Sequence, residues 1–298
     1  MTAKRSQMHI GVLSTPESYY ARELRRAAAQ LADGPYIHQL NFADLHTSLG
    51  IKQPNQSSTP RLDAVIVRSM PLGSLEQVIF RMDCLAAWLD QGIEIVNPPK
   101  ALETAIDKWL TLQRLAHHDI AVPATVACQS RDVAMTAFED LGGDVVVKPI
   151  FGGEGRGIVR VQDAQVAWRV FGTLQQTGQV LYVQEFIEHL GYDIRVLKVG
   201  DALHCIHRHA TGTWLTNVSQ GSQAVAHPLT DQQRSLAEKA AAIVGGSVLG
   251  IDLLPTQDGR LLVLEVNAVP GWKATARALG RDISADVIKH VSDRVLRR

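Results

Sequence analysis

The chain has 298 residues, 30 Lys plus Arg balanced by 30 Asp plus Glu, and 46% hydrophobic residues, so it is too long for one ordinary core and two or three subdomains are expected. The zero net charge argues against a nucleic-acid footprint, hence no DNA partner, and against a polybasic membrane anchor. No apolar run approaches the roughly 18 residues of a membrane span, MTAKRSQMHIGVLS lacks a signal-peptide core, and three scattered cysteines, Cys84, Cys128 and Cys205, form no disulfide framework, so a reducing, cytoplasmic setting is expected.

The first hundred residues alternate. HIGVLS (9–14) reads as a strand, and 16–33 as a helix with Pro16 in its first turn. IHQLNF (37–42) is a second strand, the polar stretch 49–61 a loop, and DAVIVRS (63–69) a third strand, apolar throughout as buried parallel strands are. A helix over 74–92 has a serine cap and a glycine stop, and EIVNPP (94–99) closes a small parallel α/β unit. Residues 101–120 read as one helix, with Leu102, Ile106, Trp109 and Leu110 on one face. Short strands and helices alternate through VVVKPI to VLYVQEFI (180–187), whose local pattern reads as an edge strand. Two hairpins turn at Gly200-Asp201 and Asp258-Gly259, with helices over 230–246 and 284–298. Trp109, Trp168 and Trp214 read as core residues.

The last hairpin carries the clearest chemistry. Glu265 and Asn267 are two apart and share a strand face, and Asp252 could face Glu265 across the turn. Two carboxylates and an amide oxygen suit a hard cation such as Mg or Mn, with nucleotide phosphates filling the remaining positions. VVVKPIFGGEGRG (145–157) places Lys148 at a strand end ahead of four glycines. That is the reverse of the GxxxxGK[ST] order, and Gly153 and Gly155 do not extend to GxGxxG. A strand-end lysine can reach phosphates as a point charge while the glycine backbone offers N–H groups, although a tight hairpin with a solvated lysine fits the local sequence equally well. Asp107-Lys108 lies within the long helix, where such a pair is commonly a solvated face. Arg68 ends a strand of the first domain, where open α/β sheets bind ligands, and is a candidate carboxylate anchor, although a structural salt bridge is the commoner role for such an arginine. His204, His207 and His209 have no second ligand cluster to support zinc.

The order DK, VVKP with a glycine loop, QEFI, DIR, TN and D…EVNAxPG resembles the ATP-grasp superfamily, and within it the RimK-type group of amino-acid (alpha-L-glutamate) ligases, over roughly residues 95–298. The resemblance implies an α/β and α+β architecture. An ATP-grasp fold would follow a small N-terminal parallel α/β domain, with divisions at 1–99, 100–187 and 188–298. It implies ATP as cofactor, bound by Lys108, Lys148, Gly153, Gly155, Asp193 and Asn217, with Glu185, Phe186 and Ile187 beside adenine and Glu188 at ribose. Arg208 and Lys148 would carry catalysis. Asp252, Glu265 and Asn267 would hold two Mg (or Mn) ions. Beside these, Arg68, from its place at a strand end, and Arg195 and Thr216 are candidate substrate contacts. The implied activity is an ADP-forming carboxylate–amine ligase that works through an acyl phosphate. Its small-molecule partners would be an amino acid, L-glutamate, and a carboxylated acceptor: a pterin tail such as that of tetrahydromethanopterin, a peptide or a ribosomal protein. A homo-oligomer is usual for the group. Other readings are a dipeptide ligase or a non-catalytic ATP-binding module. The chain departs from the group's pattern at Leu215, where arginine is usual, at Ser222, where a second glycine is common, and at Glu154.

Overall fold

The computed structural model describes residues 7–48, 61–153, 155–216 and 221–298. Apolar runs near the start form β1 (His9–Leu13), β2 (Tyr36–Leu40), β3 (Ala64–Val67) and β4 (Glu94–Val96), a parallel sheet in the order β2-β1-β3-β4. All four residues of β3 are buried, as a strand covered on both faces requires. Helix α1 (Tyr19–Ala29) is shorter than the sequence suggested. Ser18, not Pro16, sets its start, because the Ser18 hydroxyl accepts from the Ala21 N–H at 3.4 Å. Helix α2 (Leu75–Asp90) has a reciprocal capping box between Ser74 and Gln77, and Gly92 follows it at φ 87°. Of the expected loop 49–61, residues 49–60 lie outside the described residues.

The single helix expected over 101–120 is two: α3 (Pro99–Ile106) and α4 (Lys108–His117). Asp107 is extended at φ −95°, ψ 106°, and its carboxylate caps α4 by accepting from the Leu110 N–H at 2.9 Å. A short acceptor that satisfies an orphan N–H favours a helix start over a helix interior. The break resets the helical phase, so Thr111, Leu112 and Leu115 are buried on α4 while Trp109 is 36% exposed. Trp168 is likewise outside the core, 44% exposed with the Arg131 guanidinium 3.4 Å from its ring centroid. The buried tryptophan is Trp272, at 1%.

The middle of the chain forms β5 (Thr125–Cys128), α5 (Arg131–Asp140), β6 (Val145–Lys148), β7 (Val159–Val161), α6 (Ala164–Gln176) and β8 (Leu181–Glu185). Its antiparallel sheet has the order β5-β8-β6-β7. Strand β8 is therefore interior, not an edge; its polar residue Gln184 is buried and bonded on the sheet instead of facing solvent. A third, antiparallel sheet joins β9 (Tyr192–Val199), β10 (Ala202–His209), β11 (Gln223–Ala226), β12 (Val248–Pro255) and β13 (Leu261–Asn267) in the order β11-β10-β9-β12-β13. Helices α3, α4 and α7 (Asp231–Val244) pack on β12 and β13.

Helix α8 (Lys273–Leu279) follows the last hairpin, and α9 (Ile283–Leu296) packs on α1, β4 and β9. One apolar cluster therefore unites Leu24 and Ile66 of the first domain with Leu197, Val248 and Val287. A buried asparagine reinforces the same junction. Asn97 Nδ2 donates to Val248 O and Ala268 O, both at 2.7 Å, and its Oδ1 accepts from the Ser247 and Val248 N–H groups at 2.8 and 2.9 Å. Among the described residues, no helix is long and apolar enough to cross a membrane.

Candidate active site

Strand β9 lies at the centre of the third sheet, and Asp193 and Arg195, two residues apart, share a face. Register then builds a row of charge across four strands. Arg208 of β10 stands opposite Asp193, Asp252 of β12 opposite Arg195, and Glu265 of β13 opposite Asp252. Arg208 donates to Asp193 through Nε at 2.6 Å and Nη2 at 2.5 Å, and its Nη2 also lies 2.9 Å from Asp252 Oδ2. Arg195 grips Asp252 from the other side, Nε to Oδ1 and Nη2 to Oδ2. The Thr216 hydroxyl donates to Asp193 at 2.5 Å. Burial alone would discharge Arg208, but the two carboxylates keep it firmly protonated. Burial likewise works against the Asp252 carboxylate, yet Arg195 and Arg208 hold it below the ordinary range. Gly250 makes room for the row: a Cβ there would stand 2.8 Å from Arg195 Nη1.

The central sheet forms the opposite wall. Lys148, last in β6, donates to Gln184 Oε1 at 2.5 Å, and Gln184 Nε2 in turn donates to the Thr125 hydroxyl at 2.9 Å and the Tyr182 hydroxyl at 3.2 Å. Burial pulls the Lys148 ammonium down to about 8, opposed by Glu265, reinforced by Lys108 and opposed again by Asp252. Lys108 opens α4 and donates to Gly152 O at 2.5 Å, so the Asp107 cap aims a lysine at the glycine loop. The pair is thus neither a solvated face nor inside a helix. Gly152, Gly155 and Gly157 have φ of 119°, 73° and 71°, a region that side chains other than glycine resist. Glu154 lies outside the described residues.

A cleft with a cavity volume of about 110 Å³ separates the walls. Lys108, Lys148, Gly153, Gly155, Asp193, Arg208, Thr216, Asp252 and Glu265 line it, with Glu185, Phe186 and Ile187 along one end. There Glu185 Oε1 accepts from the Ala124 N–H at 2.7 Å, Arg160 covers the Phe186 ring at 3.4 Å, and Trp214 meets that ring edge-on at 5.6 Å. Glu188 is exposed and does not line the cleft. Arg195 and Asn267 do not line it: Arg195 is bonded to Asp252, and Asn267 Oδ1 accepts from the Val269 N–H at 2.8 Å; Asn217 lies outside the described residues. Arg68 makes no ion pair among the described residues. Leu215 does line the cleft, held by the Ser222 hydroxyl donating to its carbonyl at 3.2 Å. Sequence reading missed Gln184, Trp214 and Gly250. The one available signal was a glutamine inside the apolar run VLYVQEF.

The donor types suit Mg: Asp252 and Glu265 are cross-strand neighbours and Asn267 is next on the Glu265 face, while the guanidinium groups of Arg195 and Arg208 now occupy the Asp252 oxygens and would have to share them with a cation. One or two carboxylates completed by phosphate oxygens is how Mg commonly binds.

A model of the RimK-like ATP-grasp domain matches residues 105–291. The tetrahydromethanopterin:alpha-L-glutamate ligase of Methanosarcina acetivorans is 32% identical, over 95% of this chain and 98% of its own length. The ligase of the same name from Methanococcus maripaludis is 29% identical over 94% and 97%. Among solved structures, the ATP-grasp ligase PsnB complexed with minimal precursor, Mg and ADP superposes with a TM-score of 0.74 at 17% identity, over 98% of this chain and all of that one; at that identity the likeness concerns the fold.

Proposed function

The chain belongs to the RimK-like ATP-grasp family, ATP-dependent, ADP-forming carbon–nitrogen ligases, and from that premise we propose that it joins the amine of L-glutamate to a carboxylate on the tail of a tetrahydromethanopterin-type pterin. The observation that carries the reading is the alignment of Arg208, Asp252 and Glu265 across one sheet, facing Lys148 on another. The choice of a pterin tail over a peptide or ribosomal protein rests on the two relatives named for that substrate. Their likeness extends through the N-terminal domain as well as the grasp.

A carboxylate resists amines because oxide is a poor leaving group. The acceptor carboxylate attacks the γ-phosphorus of ATP and ADP departs. The glutamate amine then attacks the acyl carbon, phosphate departs, and the amine sheds a proton. Such transfers need alignment and charge neutralisation more than covalent help. Lys148 and Lys108 neutralise phosphates from the central wall. Arg208, held in place by Asp193 and Asp252, steadies charge on the transferring phosphoryl group. Asp252, Glu265 and Asn267 would hold two Mg ions, which when bound supply Lewis-acid neutralisation of the phosphate oxygens. The glycine loop excludes water from the acyl phosphate. Cys84, Cys128 and Cys205 are free thiols, which supports a cytoplasmic setting.

The test measures ADP release with L-glutamate and either tetrahydromethanopterin or a peptide ending in glutamate, with mass spectrometry of the acceptor. Gain of a glutamyl group on the pterin supports the proposal. Gain on the peptide alone, or no gain on either while ATP binds, overturns it.

A further inference from the structure

Arg68 follows β3 at the carboxyl end of the parallel sheet and is only 6% exposed. Its Nη2 donates to Pro270 O at 2.7 Å, its Nε is buried with no hydrogen-bond partner, and among the described residues no carboxylate pairs with it. Tyr20 and Trp272 lie against the guanidinium, their ring centroids 4.7 and 4.2 Å away. Aromatic faces offset part of the cost of burying a cation, but they leave in-plane N–H groups unanswered, and a buried cation with no counter-charge is otherwise costly.

The arginine is also close to the charged row. A Cβ on Gly250 would lie 3.0 Å from Pro270 Cβ and 2.8 Å from Arg195 Nη1, so Pro270, whose carbonyl Arg68 holds, adjoins the arginine that grips Asp252. The aromatic cluster has a second cation. Lys273 Nζ sits 5.0 Å from the Tyr19 ring centroid, and Tyr19 meets Tyr20 edge-on at 5.3 Å. Gly271 lets the cluster close, since a Cβ there would come 2.5 Å from the Tyr20 hydroxyl.

We propose that Arg68 and Lys273 form the carboxylate-binding subsite for the amine substrate, Arg68 taking one carboxylate of a dicarboxylic amino acid and Lys273 the other. This rests on the reading that an acidic amino acid is the amine donor. The acceptor's reacting carboxylate belongs beside Arg208 and the Asp252–Glu265 pair. The amine donor reacts through nitrogen alone, so both of its carboxylates need partners that turn the amine toward the acyl phosphate. A planar guanidinium with an unpaired in-plane donor matches a carboxylate in shape as well as charge.

The test compares L-glutamate with its two monoamides, L-glutamine and L-isoglutamine, in the wild type and in Arg68→Gln, Arg68→Lys and Lys273→Gln, reading kcat/KM for the amino acid and KM for ATP. Wild type should favour L-glutamate over both monoamides. Arg68→Gln should weaken L-glutamate by about 30-fold or more, as loss of one partner of a buried charged pair does. It should also erase the preference over one monoamide while leaving KM for ATP unchanged. Lys273→Gln should erase the preference over the other monoamide, by a smaller factor. If Arg68→Gln weakens all three amino acids equally, Arg68 is only a latch on Pro270 and the inference fails. If Arg68→Gln does not fold, Arg68→Lys decides: a preference over both monoamides as large as in wild type sinks the proposal. A wild type that uses none of the three overturns the glutamate reading itself, and this inference with it, an outcome visible before any variant is made.

Discussion

On the C-terminal wall of the cleft, Asp193 and Asp252 are each held by guanidinium groups from their own sheet. On the central wall Lys148 leans on a single amide, and the Gly152 carbonyl of the glycine loop on a single ammonium. A Cβ on Gly152 or Gly153 would meet nothing within 4 Å, whereas one on Gly250 would collide with the row. The difference separates two jobs. Groups that answer developing charge must be fixed before the reaction, because reorganising them costs activation energy. A cover that admits and releases nucleotide must move, and sparse contacts let it do so.

The severest way to break this contrast is to remove a member of the row. Asp252→Asn leaves two guanidinium groups facing a neutral side chain. Turnover should fall roughly 10³-fold, with a stability loss of about 3 kcal/mol as for other broken buried pairs, checked by ADP release and urea unfolding. Next is Arg208→Lys, which keeps a charge but loses the fork on Asp193. It should lower kcat about 10²-fold with little change in KM for ATP. If KM rises instead, Arg208 acts in binding and the row is not catalytic.

Much of the C-terminal wall was legible in the sequence, because the hairpin turn brings the two acidic strands together and period two puts Asn267 on the Glu265 face. The register itself was not: the turn at Asp258-Gly259 pairs Leu253 with Val263 and by continuation would set Asp252 against Leu264, and only a bulge between Asp252 and Leu253 brings Asp252 opposite Glu265. The partnership of Arg195 with Asp252 was not legible. It depends on β9 lying between β10 and β12, a long-range order that no local pattern encodes. The same reason hid the interior place of β8 and so the hold of Gln184 on Lys148. The break at Asp107 was missed because apolar spacing continues across it; only the capping preference of aspartate distinguishes two helices from one.

On the central wall the expected effects are smaller. Burial lowers the Lys148 ammonium to about 8, and on the proposed reading only the ammonium form answers phosphate. Below pH 8 the charged form is already present. Above it, ATP binding must take up a proton, so affinity should fall toward about tenfold per pH unit. Titration of ATP binding across pH 7–10 should show this bend, and Lys148→Met should abolish it; a bend that persists belongs to another group. Within the loop, Gly157→Ala introduces a methyl at φ 71° and 2.9 Å from Pro149 Cγ, and should raise KM for ATP several-fold. Gly153→Ala, with open space and no positive φ, should stay within about twofold. Glu188→Gln, outside the cleft, should be the mildest, also within about twofold; a larger loss would restore the ribose role expected from sequence.

Of the two walls, Asn97 joins the first domain by its side chain to the C-terminal one alone. With both of its amide donors and both acceptor positions engaged, it rivets the link after β4 to the start of β12 and the end of β13. The first domain and the Asp252–Glu265 hairpin are therefore a single anvil, and the Arg68 hold on Pro270 is part of the same casting. On the proposed reading, the amino-acid site and the metal site therefore stand on one block, and the spacing between them is built into the fold rather than set by closure of the cleft.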